Sequence, residues 1–240
     1  MLPARKSMVS LIDTVHPSGR VTTDFLGQLS RQDHDDLLKI TRQETVAKGH
    51  LCFRAGEQSA HVYFLESGIV RIYEVSDVGR DAILWFCLPG EVFGLAEAVA
   101  GGYRGVSAQA VEKSEVRSIH GDMFRHYLAS HPQAALLSLQ ALSARLRGLG
   151  NILVNLISDD VHTRLGKLLI RLSMRYGKRV GTEIVLQIPL THQAIFDMIG
   201  AARPTVSSAL GELKRKGVLR IDGHRIRIES EERLHELAYS

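Results

Sequence analysis

The stretch THQAIFDMIGAARPTVSSALGELKRKGVLR, Thr191 to Arg220, decides the fold of the C-terminal third of the chain. Its residue types and spacing match a helix-turn-helix. Gly200 tolerates the left-handed turn between two short helices, while Ile195, Ile199, Ala201, Val206 and Leu210 supply the apolar faces that hold a steep crossing closed. Arg203 and Pro204 open the second helix; proline is pre-set for a first turn and lacks only an N–H that has no helical partner there. This predicts a sharply defined helix N-terminus, the end that enters a DNA major groove in such motifs. Beyond it, Val218 to Ile221 and Arg225 to Ile228 alternate around Asp222-Gly223, a two-residue hairpin signal, so the unit reads as winged. A plain helical hairpin in a core shares the apolar spacing but not the glycine, proline and wing in this order. The DNA-facing candidates are Thr191, His192, Gln193, Arg203, Pro204, Thr205, Ser207 and Ser208, with Lys214 and Lys216 at the far end of the second helix for phosphate contact.

Charge gives the partner's sign. From Val161 to Ile228 there are 13 Lys+Arg against 4 Asp+Glu, a local +9 inside a chain whose total is only +4. A basic run is often only a solvated face, but here it coincides with the helix-turn-helix, and a phosphate backbone of double-stranded DNA is its natural counterpart.

At 240 residues the chain has room for two domains with their own cores. No segment approaches the apolar length needed to span a bilayer, so the expectation is a soluble, cytoplasmic protein with no membrane partner. Two cysteines, Cys52 and Cys87, in strand-like apolar surroundings do not make a disulfide framework and fit a reducing compartment.

In the N-terminal part, glycines recur at 56, 68, 79 and 90, with short strand-like segments between them at Val62 to Leu65, Ile69 to Val75 and Ala82 to Leu88. Such spacing predicts a compact antiparallel β-roll. Asp33 to Ile40 reads as a short helix ahead of it, and residues 1–23 as a loose arm. Between roll and helix-turn-helix, Ala135, Leu139, Leu142, Leu146, Leu149, Leu153 and Leu156 follow one another at alternating intervals of four and three. That heptad seam argues for two copies of one long helix side by side in a homodimer, with Leu139, Leu142, Leu146, Leu149, Leu153 and Leu156 at the interface. Gly148 and Gly150 inside it each cost about 1 kcal/mol relative to alanine and imply close approach of a partner, ligand or strand. The helix should end near Ser158-Asp159-Asp160, with Asp159 capping a following helix from Val161 to Tyr176. The fold class is thus α+β. Its expected parts are the arm (1–23), the roll (24–132), the dimerisation helix (133–158) and the winged helix-turn-helix (159–240).

Roll, dimer helix and winged helix-turn-helix in that order, together with FRAGE at Phe53 to Glu57, the ESGIVRIY hairpin and LPGEVFG at Leu88 to Gly94, resemble the bacterial CRP/FNR family of transcription regulators. The resemblance implies a homodimer, not an enzyme. Its cyclic-nucleotide-binding-like roll would sense a signal, shift the long helices and present two recognition helices to a two-fold-related DNA site, with RNA polymerase as a further partner.

The same resemblance marks departures. In cyclic-AMP-responsive relatives a Gly-Glu pair holds the ribose, an Arg-Ser pair the cyclic phosphate, and a Thr-Ser pair on the dimer helix the adenine. The corresponding places here are Gly94-Leu95, Arg104-Gly105 and Leu149-Gly150, with Glu97 displaced by two positions. Loss of those polar partners argues against cyclic AMP and leaves another nucleotide, another small molecule or a degenerate pocket as alternatives. The cofactor is therefore unknown. The N-terminal cysteine cluster that oxygen-sensing relatives use for an iron–sulfur cluster is absent. In the recognition helix, the Arg-Glu pair and later arginine of the cyclic-AMP receptor type are replaced by Arg203-Pro204 and Ser208; in the helix before it, Phe196, four residues before Gly200, stands where a small residue is usual and would tilt the crossing or turn outward. Only Arg203 keeps a guanidinium suited to guanine.

Other signals are weak. His120, His126 and His131 are spaced by 6 and 5 residues and do not share a helical face, so no metal site is expected. Cys87 reads as a buried inert thiol, with a haem or redox role for it or Cys52 left open. No phosphate loop, nucleophile elbow or paired carboxylates indicate a catalytic residue. Two readings stay beside each other: an effector-gated regulator, and a constitutive DNA-binding dimer whose roll is only a scaffold.

Overall fold

The computed structural model describes residues 24–239 apart from 59, 78 and 224, so the arm expected over residues 1–23 lies outside the described residues. Two capped helices lead in. Asp24 accepts from Gly27 N at 2.8 Å to start α1 (Phe25–Gln28), and Ser30 accepts from Asp33 N at 3.1 Å to start α2 (Arg31–Ile40), two residues before the predicted helix.

The roll follows as two four-stranded antiparallel sheets. Its strands are β1 (Arg42–Val46), β2 (Leu51–Phe53), β3 (His61–Ser67), β4 (Val70–Val75), β5 (Asp81–Cys87), β6 (Val92–Phe93), β7 (Ser107–Ala110) and β8 (Ser114–His120), with α3 (Leu95–Ala100) between β6 and β7. One sheet has the order β1-β8-β3-β6 and the other β2-β7-β4-β5. Alternating residues fill the interior: Phe53, Leu65, Val70, Ile72, Phe93 and Val116 form one cluster, while Val62, Phe64 and Val92 turn toward Phe25 and Phe124. Phe124 belongs to α4 (Gly121–Ser130), which closes the roll.

Pro132 opens α5 (Pro132–Ser158), 27 residues long. Its N-terminal half buries Ala134, Leu137, Ser138 and Ala141 against the roll. On another face Leu139, Leu146 and Leu153, one heptad apart, are 61%, 72% and 59% exposed, and Leu156 and Ile157 continue the bare apolar row. Leu142 and Leu149 are partly covered by the chain itself. Among the described residues nothing lies within 4 Å of a Cβ built on Gly148 or Gly150, so both positions are open there.

The next helix, α6 (Val161–Tyr176), is capped one residue later than expected. Asp160, not Asp159, accepts from Thr163 N, at 2.8 Å. Asp159 instead ends α5 and holds Lys167 Nζ at 2.9 Å. Both aspartates are competent caps, and the choice falls to the one whose carboxylate reaches the first turn.

The C-terminal unit adds β9 (Gly177–Val180), β10 (Glu183–Leu186), α7 (His192–Ile199), α8 (Arg203–Arg215), β11 (Leu219–Asp222), β12 (Arg225–Ile228) and α9 (Glu231–Tyr239). The wing is part of a four-stranded sheet, β11-β12-β10-β9, of which β9 and β10 have no counterpart in the sequence reading. Asp222 pairs with Arg225, so the tight turn starts at Gly223 rather than at Asp222. The Asp222 carboxylate takes Arg227 Nε at 2.9 Å and Arg220 Nε at 3.3 Å, which accounts for its place beside the turn.

The two halves share a core. Ile69, Tyr73, Ile83 and Phe86 of the roll pack in one cluster with Leu165, Leu168, Leu172, Tyr176, Phe196 and Ile199. Each such side chain, fully buried, stabilises by roughly 1.5–3 kcal/mol, so the halves are joined by a packed interface and not merely by a tether.

Candidate DNA-reading face and effector sites

In the helix-turn-helix, Thr191 Oγ1 accepts from Ala194 N at 3.0 Å to cap α7, which ends at Gly200 with φ 67° and ψ 36°. A side chain at Gly200 would be held in the left-handed region, which explains the glycine. Pro204 lies in the first turn of α8, whose N-cap residue Ala202 offers no side-chain acceptor. Val206, Ala209, Leu210 and Leu213 are buried beneath the helix. All ten candidates, Thr191, His192, Gln193, Arg203, Pro204, Thr205, Ser207, Ser208, Lys214 and Lys216, are exposed. Besides the Thr191 cap, Gln193 Nε2 donates to Asp197 Oδ1 at 2.5 Å, and Lys216 Nζ pairs with Glu212 at 2.6 Å. Phe196 is buried. Its ring turns into a groove shared with Ser76, Arg80 and Asp81 at the β4–β5 hairpin, with the Arg203 guanidinium 6.0 Å above it.

The roll-pocket candidates separate into three places. Gly94, Glu97, Arg104 and Gly105 come together. Arg104 is buried; its Nη1 donates to Gly94 O at 2.7 Å, its Nη2 to His61 O, and Glu97 Oε2 stands 3.6 Å from Nη1. Phe53 lies under the guanidinium, 4.1 Å from Cζ to the ring centre. Burial pulls the Arg104 guanidinium below its ordinary value, opposed by the Glu97 carboxylate. Gly94 is obligatory, since a Cβ there would meet Arg104 Nη1 at 2.9 Å and Phe53 Cε1 at 3.0 Å, at φ +67°. Leu95 is not in this group: it is buried in the cluster of Phe25, Phe64 and Phe124. Leu149 lines a different cavity beside Trp85, and Gly150 is exposed.

That different cavity adjoins a junction which spacing does not reveal. Glu91, buried at the end of the LPGE turn, receives Arg145 Nη2 of α5 at 3.0 Å and Arg175 Nη2 of α6 at 2.7 Å. Beside it, Tyr176 Oη donates to Phe86 O at 2.9 Å and accepts from Phe86 N at 3.2 Å. One carboxylate thus ties the roll to the long helix and to the C-terminal unit. Removing one member of such a buried set leaves the others' charge uncompensated.

The remaining candidates are quiet. His120 caps α4 through Asp122 N at 3.3 Å, and the His131 ring stacks on Tyr127 at 4.1 Å. No group of three or more metal-ligating side chains is present among the described residues. Burial pushes the Cys52 thiol up to about 12 and that of Cys87 up as well, so both favour the unreactive protonated form. Among the described residues no helix is long and apolar enough to cross a membrane.

Comparison with known proteins agrees with this architecture. Residues 43–131 match the cyclic nucleotide-binding domain model, and residues 163–237 match the Crp-like helix-turn-helix domain. The chain is 32% identical over 187 residues to the CRP-like cAMP-activated global transcriptional regulator of Mycobacterium tuberculosis, covering 78% of this chain and 84% of that protein. It is 26% identical over 199 residues to the fumarate and nitrate reduction regulatory protein of Escherichia coli K12, covering 83% and 79% respectively. Among solved structures, FixK2 from Bradyrhizobium japonicum superposes with a TM-score of 0.73 at 25% identity, covering 84% of this chain and 98% of that one. Sheets, long helix, winged helix-turn-helix and these relatives together establish that the chain belongs to the CRP/FNR family of DNA-binding transcription regulators.

Proposed function

We propose that this chain is an effector-gated regulator acting as a homodimer. The roll (24–132) senses, the long helix (133–158) pairs with its copy, and the C-terminal unit (159–240) reads DNA before RNA polymerase. The observation that carries gating is Glu91: its ion pairs to Arg145 and Arg175 couple roll, dimer helix and DNA-binding unit, so a ligand that moves one of them is felt by the other two. The bare row of Leu139, Leu146 and Leu153 supports pairing of two copies along α5.

Activation by cyclic AMP is stated for the Mycobacterium relative; here the effector is a different molecule. Arg104, the side chain corresponding to the phosphate holder, has its donors directed to Gly94 O, His61 O and Glu97. Three of its five N–H groups are thus engaged inside the roll, which leaves fewer donors for a cyclic phosphate. The exposed row from Arg203 through Thr205 and Ser208, set on a helix whose other face is buried, supports base reading, and Lys214 and Lys216 support phosphate contact.

Leu146→Lys tests the dimer. It would put two like charges against each other in the pair, a cost of several kcal/mol, and light scattering at micromolar concentration should then find single chains. A variant that stays dimeric would move the interface off this seam.

A further inference from the structure

Beside the Glu91 junction lies a half-open cavity of about 110 Å3, walled by β5, α5, α6 and Met198 of α7. It is distinct from the Arg104 site. Its lining is mainly apolar, with Ile83, Ile152 and Leu172 among the walls. Two polar atoms of lining residues, Arg145 Nη1 and Trp85 Nε1, are buried without a hydrogen-bond partner among the described residues. The Arg145 side chain is only 10% exposed and its guanidinium lies 4.9 Å over the Trp85 ring, so the two side chains are neighbours. Arg171 also lines the space, and no hydrogen bond or ion pair holds its guanidinium among the described residues. Burial lowers its pKa, the sign of a cation drawn out of water.

These groups define what fits. A guanidinium and an indole N–H only donate, so the ligand must bring acceptors. A charged acceptor answers the cations, and a carboxylate matches the planar fork of an arginine. The apolar walls ask for a hydrocarbon body, and the small volume limits it to about one ring. We propose that this junction cavity binds a small organic carboxylate, its oxygens accepting from Arg145 Nη1 and Trp85 Nε1 and its body lying against Ile83, Ile152 and Leu172. Since roll, long helix and DNA-binding unit all contribute walls, occupancy alters how they fit together. The binding stands on the cavity; its effect on DNA rests on the effector-gated reading above.

Thermal unfolding of the full chain, titrated with sodium benzoate, tests the site, with benzyl alcohol and matched sodium chloride as controls. At a concentration about a hundredfold above Kd, benzoate should raise Tm by roughly 5–10 °C, and neither control should. Trp85→Phe keeps the ring under Arg145 but removes the N–H and should weaken benzoate about tenfold. Gly148→Met should remove the response while leaving the ligand-free Tm at or above that of the parent, because its side chain enters open space from α5. No response from the parent chain, an equal response to benzyl alcohol, or an undiminished response from Gly148→Met would overturn the site. Affinity for a DNA site selected from random sequence, followed in the same titration, separates the two claims. Benzoate that binds and changes DNA affinity supports both, and benzoate that binds without changing it keeps the site and overturns the gating.

Discussion

Arg104 and Arg145 are built alike and end differently. Arg104 is buried and Arg145 nearly so; each lies over an aromatic ring, at 4.1 Å from Phe53 and 4.9 Å from Trp85, and has a carboxylate at hand, Glu97 at 3.6 Å and Glu91 at 3.0 Å. Arg104 also donates to two backbone carbonyls of its own roll. Arg145 shares its carboxylate with Arg175 and keeps one buried nitrogen, Nη1, with no acceptor among the described residues. The lesson is that a buried arginine marks a ligand site by the donors its own fold leaves open. By that measure we propose that the site corresponding to the family's nucleotide phosphate holder, where Gly94, His61 and Glu97 engage the arginine, is closed in this chain and that the junction between the halves is open.

The strongest way to break the comparison is to remove each carboxylate. Glu91→Ala leaves two largely buried arginines without their shared partner and should cost about 3–5 kcal/mol in urea unfolding. Glu97→Ala leaves Arg104 its two carbonyls and removes a partly exposed partner, so about 1 kcal/mol or less is expected. Equal losses would mean that the two arginines are held in the same way.

An exposed arginine extends the series. Arg203 stands at the start of α8, above the Phe196 ring and exposed. Arg203→Ala should cost roughly 1–3 kcal/mol on a preferred DNA site and little on random DNA, measured by competition binding at several salt concentrations. Equal losses on both would assign it to the backbone rather than to bases.

The smallest effect belongs to an exposed carboxylate that contrasts with Glu91. Asp160 holds the first turn of α6, and its hydrogen bonds from Thr163 lower its pKa below the ordinary carboxylate value. A group whose pKa is lower in the folded state stabilises at pH above its unfolded value, and that stabilisation is lost as the pH falls through the folded value. Asp160→Ala should therefore cost about 1 kcal/mol at neutral pH, the usual worth of a cap, with the difference from the parent shrinking below about pH 4. A difference independent of pH would show that the aspartate acts by something other than its charge.

What the sequence made legible follows from range. The left-handed Gly200, the proline start of α8, the wing and the heptad row on α5 are local patterns, and the helix-turn-helix and long helix could be read from them. Near misses were local too: Asp159 and Asp160 are both good caps, and the turn at Gly223 is offset by one because Asp222 still pairs. The roll was readable as strands between glycines, but not as two sheets, because pairs such as β1 with β8 join residues more than 60 positions apart. The junction was hidden for the same reason. Glu91 meets Arg145 and Arg175 across 54 and 84 residues, with no spacing to announce it. Leu95, aligned with a ligand-holding position, is in the core, which only packing reveals.

The claim that the Arg104 site is closed is tested most directly by calorimetric titration of cyclic AMP into the full chain and into Arg104→Met. With the arginine's donors directed to Gly94, His61 and Glu97, no binding tighter than about 1 mM is expected from either protein. Micromolar binding by the parent that disappears in Arg104→Met would contradict the account, because it would show that Arg104 gives up its internal partners for a nucleotide phosphate.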